Sequence, residues 1–313
     1  MINANRVEYM NLSSSNAPAV SIVVPIYNKE KYLSKLLRDL VNQTLYDIEI
    51  LCIDDGSTDS SKKIITKYQQ KDSRIKYFYT TNRGLSAARN EGIMHSTGKY
   101  IGFVDADDRI SLKMYECLWK NSEKNHADIC ICGGKVRGMF SPSWIKNALN
   151  TKDDFFPYFD GNVLFKRNTT PFIWRTMIRT SFIKDNNYLF DVNLKIGEDL
   201  LFLFEIIPFS KNIVLIGKKL YSYNWSNSDS LMNKNMYNNR FKKVEYNLEI
   251  IHKIVNYWSK YNFFELQVDL WNYIKSLFES EMPHLKTNEK NKLLLELDTI
   301  HDSIFMQCNF QFK

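Results

Sequence analysis

Apolar and polar positions along this chain change period several times, and each change marks a structural element. Val20–Ile26 is a largely β-branched run that reads as a strand. Behind it Leu33, Leu36, Leu37, Leu40 and Val41 fall at the spacings of an amphipathic helix. Residues 48–53 read as a second strand. Ile64, Ile65 and Tyr68 mark a helix entered through the capping cluster Ser57-Thr58-Asp59. Residues 75–79 give a third strand, the alanine-rich stretch 85–93 a third helix, and 100–104 a fourth strand. With a helix expected over 113–124, strand and helix alternate four times, which predicts an α/β fold with a doubly wound, mainly parallel, Rossmann-like sheet.

Such sheets bind ligands beyond the carboxyl ends of their strands, where the strand order reverses. Polar residues sit where that rule places them. The strands run out into Pro25-Ile26-Tyr27-Asn28, Asp54-Asp55-Gly56-Ser57, Asn82-Arg83-Gly84 and Asp105-Ala106-Asp107-Asp108.

Further along, residues 128–132 read as a strand, and 138–170 as an aromatic, irregular segment that faces an acceptor or is an ordinary loop. A helix opens at Gly197-Glu198-Asp199. From Phe241 the chain reads as helical, with Phe241, Val244, Leu248, Ile251, Val255 and Trp258 forming one apolar seam. The seam continues through Phe263, Phe264, Leu266, Leu270, Trp271, Ile274 and Phe278. Packing against the rest of the protein is its favoured reading. Docking on a membrane surface through Lys242, Lys243, Lys253, Lys260 and Lys275 is the other. The expected organisation is a polar lead-in over 1–18, two halves of one domain over 19–112 and 113–232, and a C-terminal helical extension over 233–313.

Composition narrows the partners. The 313 residues are 44% apolar and carry a net charge of +7, which suits a nucleotide diphosphate, an anionic headgroup or nucleic acid. The basic residues are scattered without a run, so no nucleic-acid partner is expected. Five cysteines without a CxxC pair read as small buried hydrophobes rather than zinc ligands or disulfides. The first residues lack the apolar core of a signal peptide, and no stretch of about 18 apolar residues could span a bilayer. A cytoplasmic protein is expected, with contact at the inner face of the cell membrane left open.

Asp105, Asp107 and Asp108 place three acids in four positions, which costs energy unless a cation or donor groups offset their repulsion. Magnesium or manganese takes one or two carboxylates plus phosphate oxygens, so this turn is either a metal site or a helix cap. Asp54 to Asp59 is likewise a tight turn, or a carboxylate that accepts from a nucleobase or ribose.

The four strand-end motifs, together with Asn82 to Asn90 read as Asn-Arg-Gly-Leu-Ser-Ala-Ala-Arg-Asn, resemble the family 2 glycosyltransferases of the GT-A fold. The similarity is to bacterial enzymes of capsule, lipopolysaccharide and teichoic acid assembly. It is specific over residues 20–110 and thins through Gly197-Glu198-Asp199. The resemblance implies a hexosyl- or N-acetylhexosaminyltransferase that moves a sugar from a UDP-sugar to a hydroxyl of an oligosaccharide or lipid-linked glycan, with inversion. Pro25 and Tyr27 would line the nucleobase pocket, Asp55 would pair with the base, and Asn82 and Arg89 would complete the nucleotide contacts. Asp105 would touch the ribose. Asp107 would hold Mn2+ or Mg2+, with Asp108 as a second ligand. Asp199 would be the catalytic base and Glu198 its support or an acceptor contact. At a helix N-terminus an ionised carboxylate is favoured by about 0.3–1 kcal/mol.

Two departures matter. Residues 221–230 resemble the segment that closes over the diphosphate, yet the arginine that many relatives carry near Asn224 or Trp225 is missing. Ser228, Ser230 or Lys234 would have to serve instead. The Gln-x-x-Arg-Trp signature of processive synthases is also absent, so single addition is expected. The rival readings are a non-catalytic nucleotide-sugar-binding scaffold and a sugar nucleotidyltransferase. The second wants a glycine-rich loop after strand one, where this chain has Tyr27-Asn28-Lys29-Glu30-Lys31.

Overall fold

A computed structural model describes residues 17–138, 141–226, 240–261, 263–279 and 281–305. Its strands are β1 (Val20–Ile26), β2 (Ile48–Asp55), β3 (Ile75–Thr80), β4 (Tyr100–Phe103), β5 (Arg109–Ile110), β6 (Ile129–Arg137), β7 (Asp154–Phe156), β8 (Thr176–Arg179) and β9 (Ile213–Asn224). The helices of the sheet-forming part are α1 (Glu30–Val41), α2 (Ser61–Gln69), α3 (Leu85–His95), α4 (Met114–Asn125), α5 (Ser143–Ala148), α6 (Asn162–Phe165), α7 (Thr180–Asp185) and α8 (Glu198–Ile206). Three more follow: α9 (Arg240–Lys260), α10 (Gln267–Glu279) and α11 (Thr287–Phe305).

The strands join in one sheet of order β3-β2-β1-β4-β8-β6-β9-β5, with β7 added beside β9. From β3 to β4 every pairing is parallel, as the strand–helix alternation predicts. Beyond β4 the sheet is mixed: β8 runs antiparallel to β4 and β6, and β9 runs parallel to β6. The order reverses between β1 and β4, so the residues that follow these two strands meet in one crevice. Pro25 is buried inside β1 although it has no N–H to give. It lies past Val23, where pairing with β4 stops, so no ladder bond is lost.

Both faces of the sheet are covered. Ile22, Val24 and Ile26 pack with α1 and α4, while Val23, Leu51 and Ile53 face α3 and α8. The first and second halves of the domain contribute to both cores. The C-terminal seam packs inward: Val244, Leu248, Ile251, Val255 and Trp258 are buried, and Trp258 Nε1 donates to the Phe204 carbonyl of α8 at 2.9 Å. Lys253 pairs with Asp191 and Lys243 with Glu281, which commits two of the lysines assigned to a membrane surface. Among the described residues no helix is long and apolar enough to cross a membrane. Cys52, Cys130 and Cys132 are buried, and burial pushes the thiols of Cys52 and Cys132 up to about 12.

Two regions depart from the pattern read along the sequence. The irregular segment 138–170 contains α5, β7 and α6, held by a fully buried Arg175. Arg175 Nη1 donates to Thr151 Oγ1 at 2.7 Å and Nη2 to the Asn168 carbonyl. Residues 221–224, expected in a closing segment, form the end of β9. Ser228, Ser230 and Lys234 lie outside the described residues.

Helix α3 sits close on β1 because Gly92 faces Val23. Alanine there would gain about 1 kcal/mol of helix propensity, but its methyl would fall 2.2 Å from Val23 Cγ1. Overpacking wins: Gly92→Ala is expected to lower unfolding free energy by about 1–2 kcal/mol. Urea denaturation measures this, and an unchanged midpoint would contradict the close approach.

Candidate active site

The site lies at the reversal point. Two loops that leave β1 and β2 are stitched together there. Asn28, held at φ 51, accepts from the Thr58 and Asp59 amides at 2.8 and 3.3 Å. Asp59 accepts from the Glu30 amide, and Glu30 from the Ser60 amide. This lattice exposes the Tyr27 ring at the rim and points Lys29 across the crevice, where Nζ meets Asp107 Oδ2 at 2.8 Å. Asn28 and Lys29 belong to the motif and loop that follow β1, though the family resemblance gives a role to neither.

Asp55, expected to pair with a nucleobase, is engaged within the chain. It accepts from Thr80 Oγ1 at 3.0 Å and from the Arg83 and Gly84 amides at 2.9 and 2.8 Å. It thereby ties the end of β2 to the turn that opens α3 and carries the exposed Asn82.

Arg89 was expected among the nucleotide contacts, and the structure gives it another task. Its guanidinium is buried, 1% exposed. Nη1 donates to Glu198 Oε1 at 2.8 Å and also to Asp199 Oδ1, while Nη2 reaches Asp105 Oδ1 at 3.2 Å. The Phe190 ring covers it, 5.3 Å from centroid to guanidinium carbon. Asn90, next in α3, exchanges two 2.8 Å hydrogen bonds with the Phe190 backbone and fixes that lid.

Asp199 occupies the first turn of α8. Gly197 starts this helix at φ 82, where a Cβ would strike Ile250 of α9, so the C-terminal helices set where the helix begins. Asp199 Oδ2 accepts from the Ile173 amide at 3.2 Å. One guanidinium faces three carboxylates, so the cluster retains a proton readily. Burial is the largest cause and pushes the Asp199 carboxyl up to about 8; Arg89 pulls against it, and repulsion from Glu198 and Asp105 adds to it.

The acids of the turn after β4 divide their work. Asp105 joins Arg89, and Asp107 faces the crevice with Lys29. Asp108, read as a second metal ligand, is instead 2% exposed and fully engaged. It takes the Tyr221 hydroxyl on Oδ2 at 2.7 Å and the Asn224 amide on Oδ1 at 2.6 Å. It anchors the end of β9, and burial holds its carboxyl well above the usual carboxylate range. Tyr221 is steadied by stacking on Trp174, 4.0 Å between centroids.

No three His, Cys, Asp or Glu side chains converge as a ready cation cage among the described residues. Among the described residues Asp107 and Asp105 are the partly exposed carboxylates of this turn, and Asp107 is the one that pairs with Lys29 across the crevice. That donor set fits an ion held by one carboxylate together with a ligand's phosphate oxygens, the common habit of Mg2+ and Mn2+.

A family model described as glycosyl transferase family 2 matches residues 21–186. EpsJ of Bacillus subtilis, an uncharacterized glycosyltransferase, is 35% identical over 214 residues, covering 66% of this chain and 61% of EpsJ. The poly(ribitol-phosphate) beta-glucosyltransferase of Bacillus spizizenii is 31% identical over 208 residues, covering 65% of this chain and 32% of that one. This chain thus spans less than two thirds of either relative. S. aureus TarS 1–349, solved with UDP-GlcNAc, superposes with a TM-score of 0.72 at 22% identity, over 91% of this chain and 81% of TarS. That likeness carries the fold, the GT-A arrangement of sheet and helices. The family model covers more than half of the chain, including the turn after β4 and the Arg89 helix, and the chain belongs to glycosyl transferase family 2.

Proposed function

We propose that this chain transfers a hexosyl or N-acetylhexosaminyl unit from a UDP-sugar to a hydroxyl of a growing cell-surface glycan, one sugar per encounter and with inversion. The observation that carries this reading is the Arg89 cluster. It couples Asp105, at the end of β4 where a donor would lie, to Asp199 at the start of α8. UDP-GlcNAc in TarS and the glucosyl transfer named for the Bacillus spizizenii relative support a nucleotide-sugar donor.

Each residue then has a task. Tyr27, Pro25 and Asn82 frame the nucleoside end of the crevice, and Asp55 keeps that wall in place while presenting its carboxylate to the base. Asp105 extends the same edge toward the ribose. Asp107 would hold a divalent ion, which when bound supplies charge neutralisation for the departing diphosphate. Asp199 accepts the proton of the attacking hydroxyl. Arg89 and the Ile173 amide fix the direction of its two oxygens, and each oxygen keeps a second lone pair for that proton. Attack from the face opposite the leaving diphosphate inverts the anomeric carbon. Glu198 shares Nη1 with Asp199 and so acts by positioning.

Asp199→Asn keeps the shape but cannot accept a proton, and is expected to slow transfer roughly 10²–10⁴-fold while leaving UDP affinity unchanged. Equal loss of UDP binding would mean the side chain is structural.

The pH profile follows from the same group. A carboxyl raised to about 8 is protonated, and useless as a base, below that pH. Turnover should therefore climb about tenfold per unit from pH 6 to 7 and level off above about 8. A flat profile over this range would rule out Asp199 as the base.

Removing the cation gives a separate check. Mn2+ should tighten UDP binding to the native chain in calorimetry, and Asp107→Ala should abolish that gain. An equal gain in the variant would exclude Asp107 as the ligand.

A further inference from the structure

The turn after β4 is flanked by a cation that its carboxylates do not engage. Asp105 is paired with Arg89 and Asp107 with Lys29, while Asp108 is held by the Tyr221 hydroxyl and the Asn224 amide. A third cation, Arg137, stands at the same turn and pairs with no carboxylate among the described residues. It closes β6, directly opposite Asn224 of β9 in the strand register, and its carbonyl accepts from the Trp225 amide at 2.9 Å.

The Arg137 side chain is half-buried. Nη2 approaches the main-chain oxygen of Asp107 at 3.4 Å, and Nε approaches the Ser222 carbonyl at 3.4 Å. Both contacts are long for a hydrogen bond to a guanidinium. Asn224 Nδ2 reaches the same Asp107 oxygen at 3.3 Å, which fixes that face of the turn. Two long bonds to neutral carbonyls leave most of the five N–H donors of an arginine unspent. Such a group, held over an acidic turn without neutralising it, is poised for an anion from solution.

Sheet order says which anion. The nucleoside contacts proposed above lie along β3, β2 and β1, and the metal-facing Asp107 follows β4. A nucleotide laid along this edge carries its phosphates past β4, toward β6 and β9, where Arg137 waits. Lys29 holds the carboxylate of Asp107 and Arg137 touches its main-chain oxygen, so cations flank this residue from both ends.

We propose that Arg137 binds the diphosphate of the donor, supplying from β6 the cation that β9 lacks at Asn224. A planar guanidinium matches two phosphate oxygens at once, which a lysine does not. This assignment rests on the nucleotide-sugar reading above and adds a residue to it.

The test compares UDP with uridine by titration calorimetry on the full chain in the presence of Mn2+. Arg137→Ala should raise the Kd of UDP roughly 10- to 100-fold and leave that of uridine unchanged. Arg137→Lys should recover only part of the loss. Unchanged UDP affinity, or equal losses for UDP and uridine, overturns the assignment. Should Arg137→Ala lose its cooperative melting transition, Arg137→Lys and Arg137→Gln carry the comparison by the same criterion. If the native chain binds neither UDP nor uridine, the donor reading itself fails, and this assignment fails with it.

Discussion

Everything at this site is arranged around a single buried guanidinium. Arg89 gathers Asp105 from the turn after β4 and the Glu198–Asp199 pair from α8, two parts of the chain that no other charged group among the described residues joins in this way. Taking an arginine and three carboxylates out of water is expensive, and the attraction among them does little more than offset the cost. The network is therefore weak as a source of stability. Its value is geometric, because one cation with fixed N–H directions admits few arrangements of three partners. The proposed base is consequently placed by the same group that touches the donor edge.

The supports of that guanidinium are rigid. Helix α3 is locked to the sheet by the close approach of Gly92 to Val23. Phe190 roofs the network and is itself clipped by Asn90. On the other side, Ile250 of α9 presses where Gly197 starts α8. The C-terminal helices thus reach the chemistry by fixing the first turn of α8. The three acids of the turn after β4 share one sequence motif yet have three environments: one paired with the buried Arg89, one paired with Lys29 across the crevice, one buried among neutral donors. Identical side chains acquire different tasks through their partners, as expected where local dielectric sets the cost of charge.

Much of the first half could be read directly from residue order. β-branched runs and leucine spacing located β1 to β4 and α1 to α3, because each element is defined by contacts within a few residues. The strand-end rule then put Tyr27, Asp55, Asn82 and Asp107 at one sheet edge, where the structure has them. What stayed hidden is long-range. Arg89 meets Glu198 across 109 positions and Asp199 across 110, and no local pattern announces such a pairing. Asp108 looked like a ligand since nothing nearby shows that Tyr221 and Asn224 will cover it. Strand β9 was missed although Ile213-Val214-Leu215-Ile216 is a clear apolar run. Its pairing with β6 shifts register at Gly133, which breaks the simple alternation further on. The segment 138–170 is unreadable for a related reason. Its anchor, Arg175, is a buried cation with only neutral partners, drawn down to about 10 by burial.

The central claim, that Arg89 offsets three buried carboxylates, is tested most directly by the pH dependence of stability in Arg89→Met. With Arg89 in place burial already holds the carboxyls of Asp105 and Asp199 above their unfolded values, Asp199 at about 8, so the native chain too loses stability as pH rises above the unfolded values near 4. Removing the cation raises both further, and the Asp199 share of the deficit opens only where the native group ionises, above about 8. Chemical denaturation from pH 4 to 9.5 should show a deficit against the native chain that is small in acid and grows with pH to about 3–5 kcal/mol in the alkaline range. A deficit of constant size at every pH would mean that Arg89 serves only to fill space, and the account of the site built on it would be wrong.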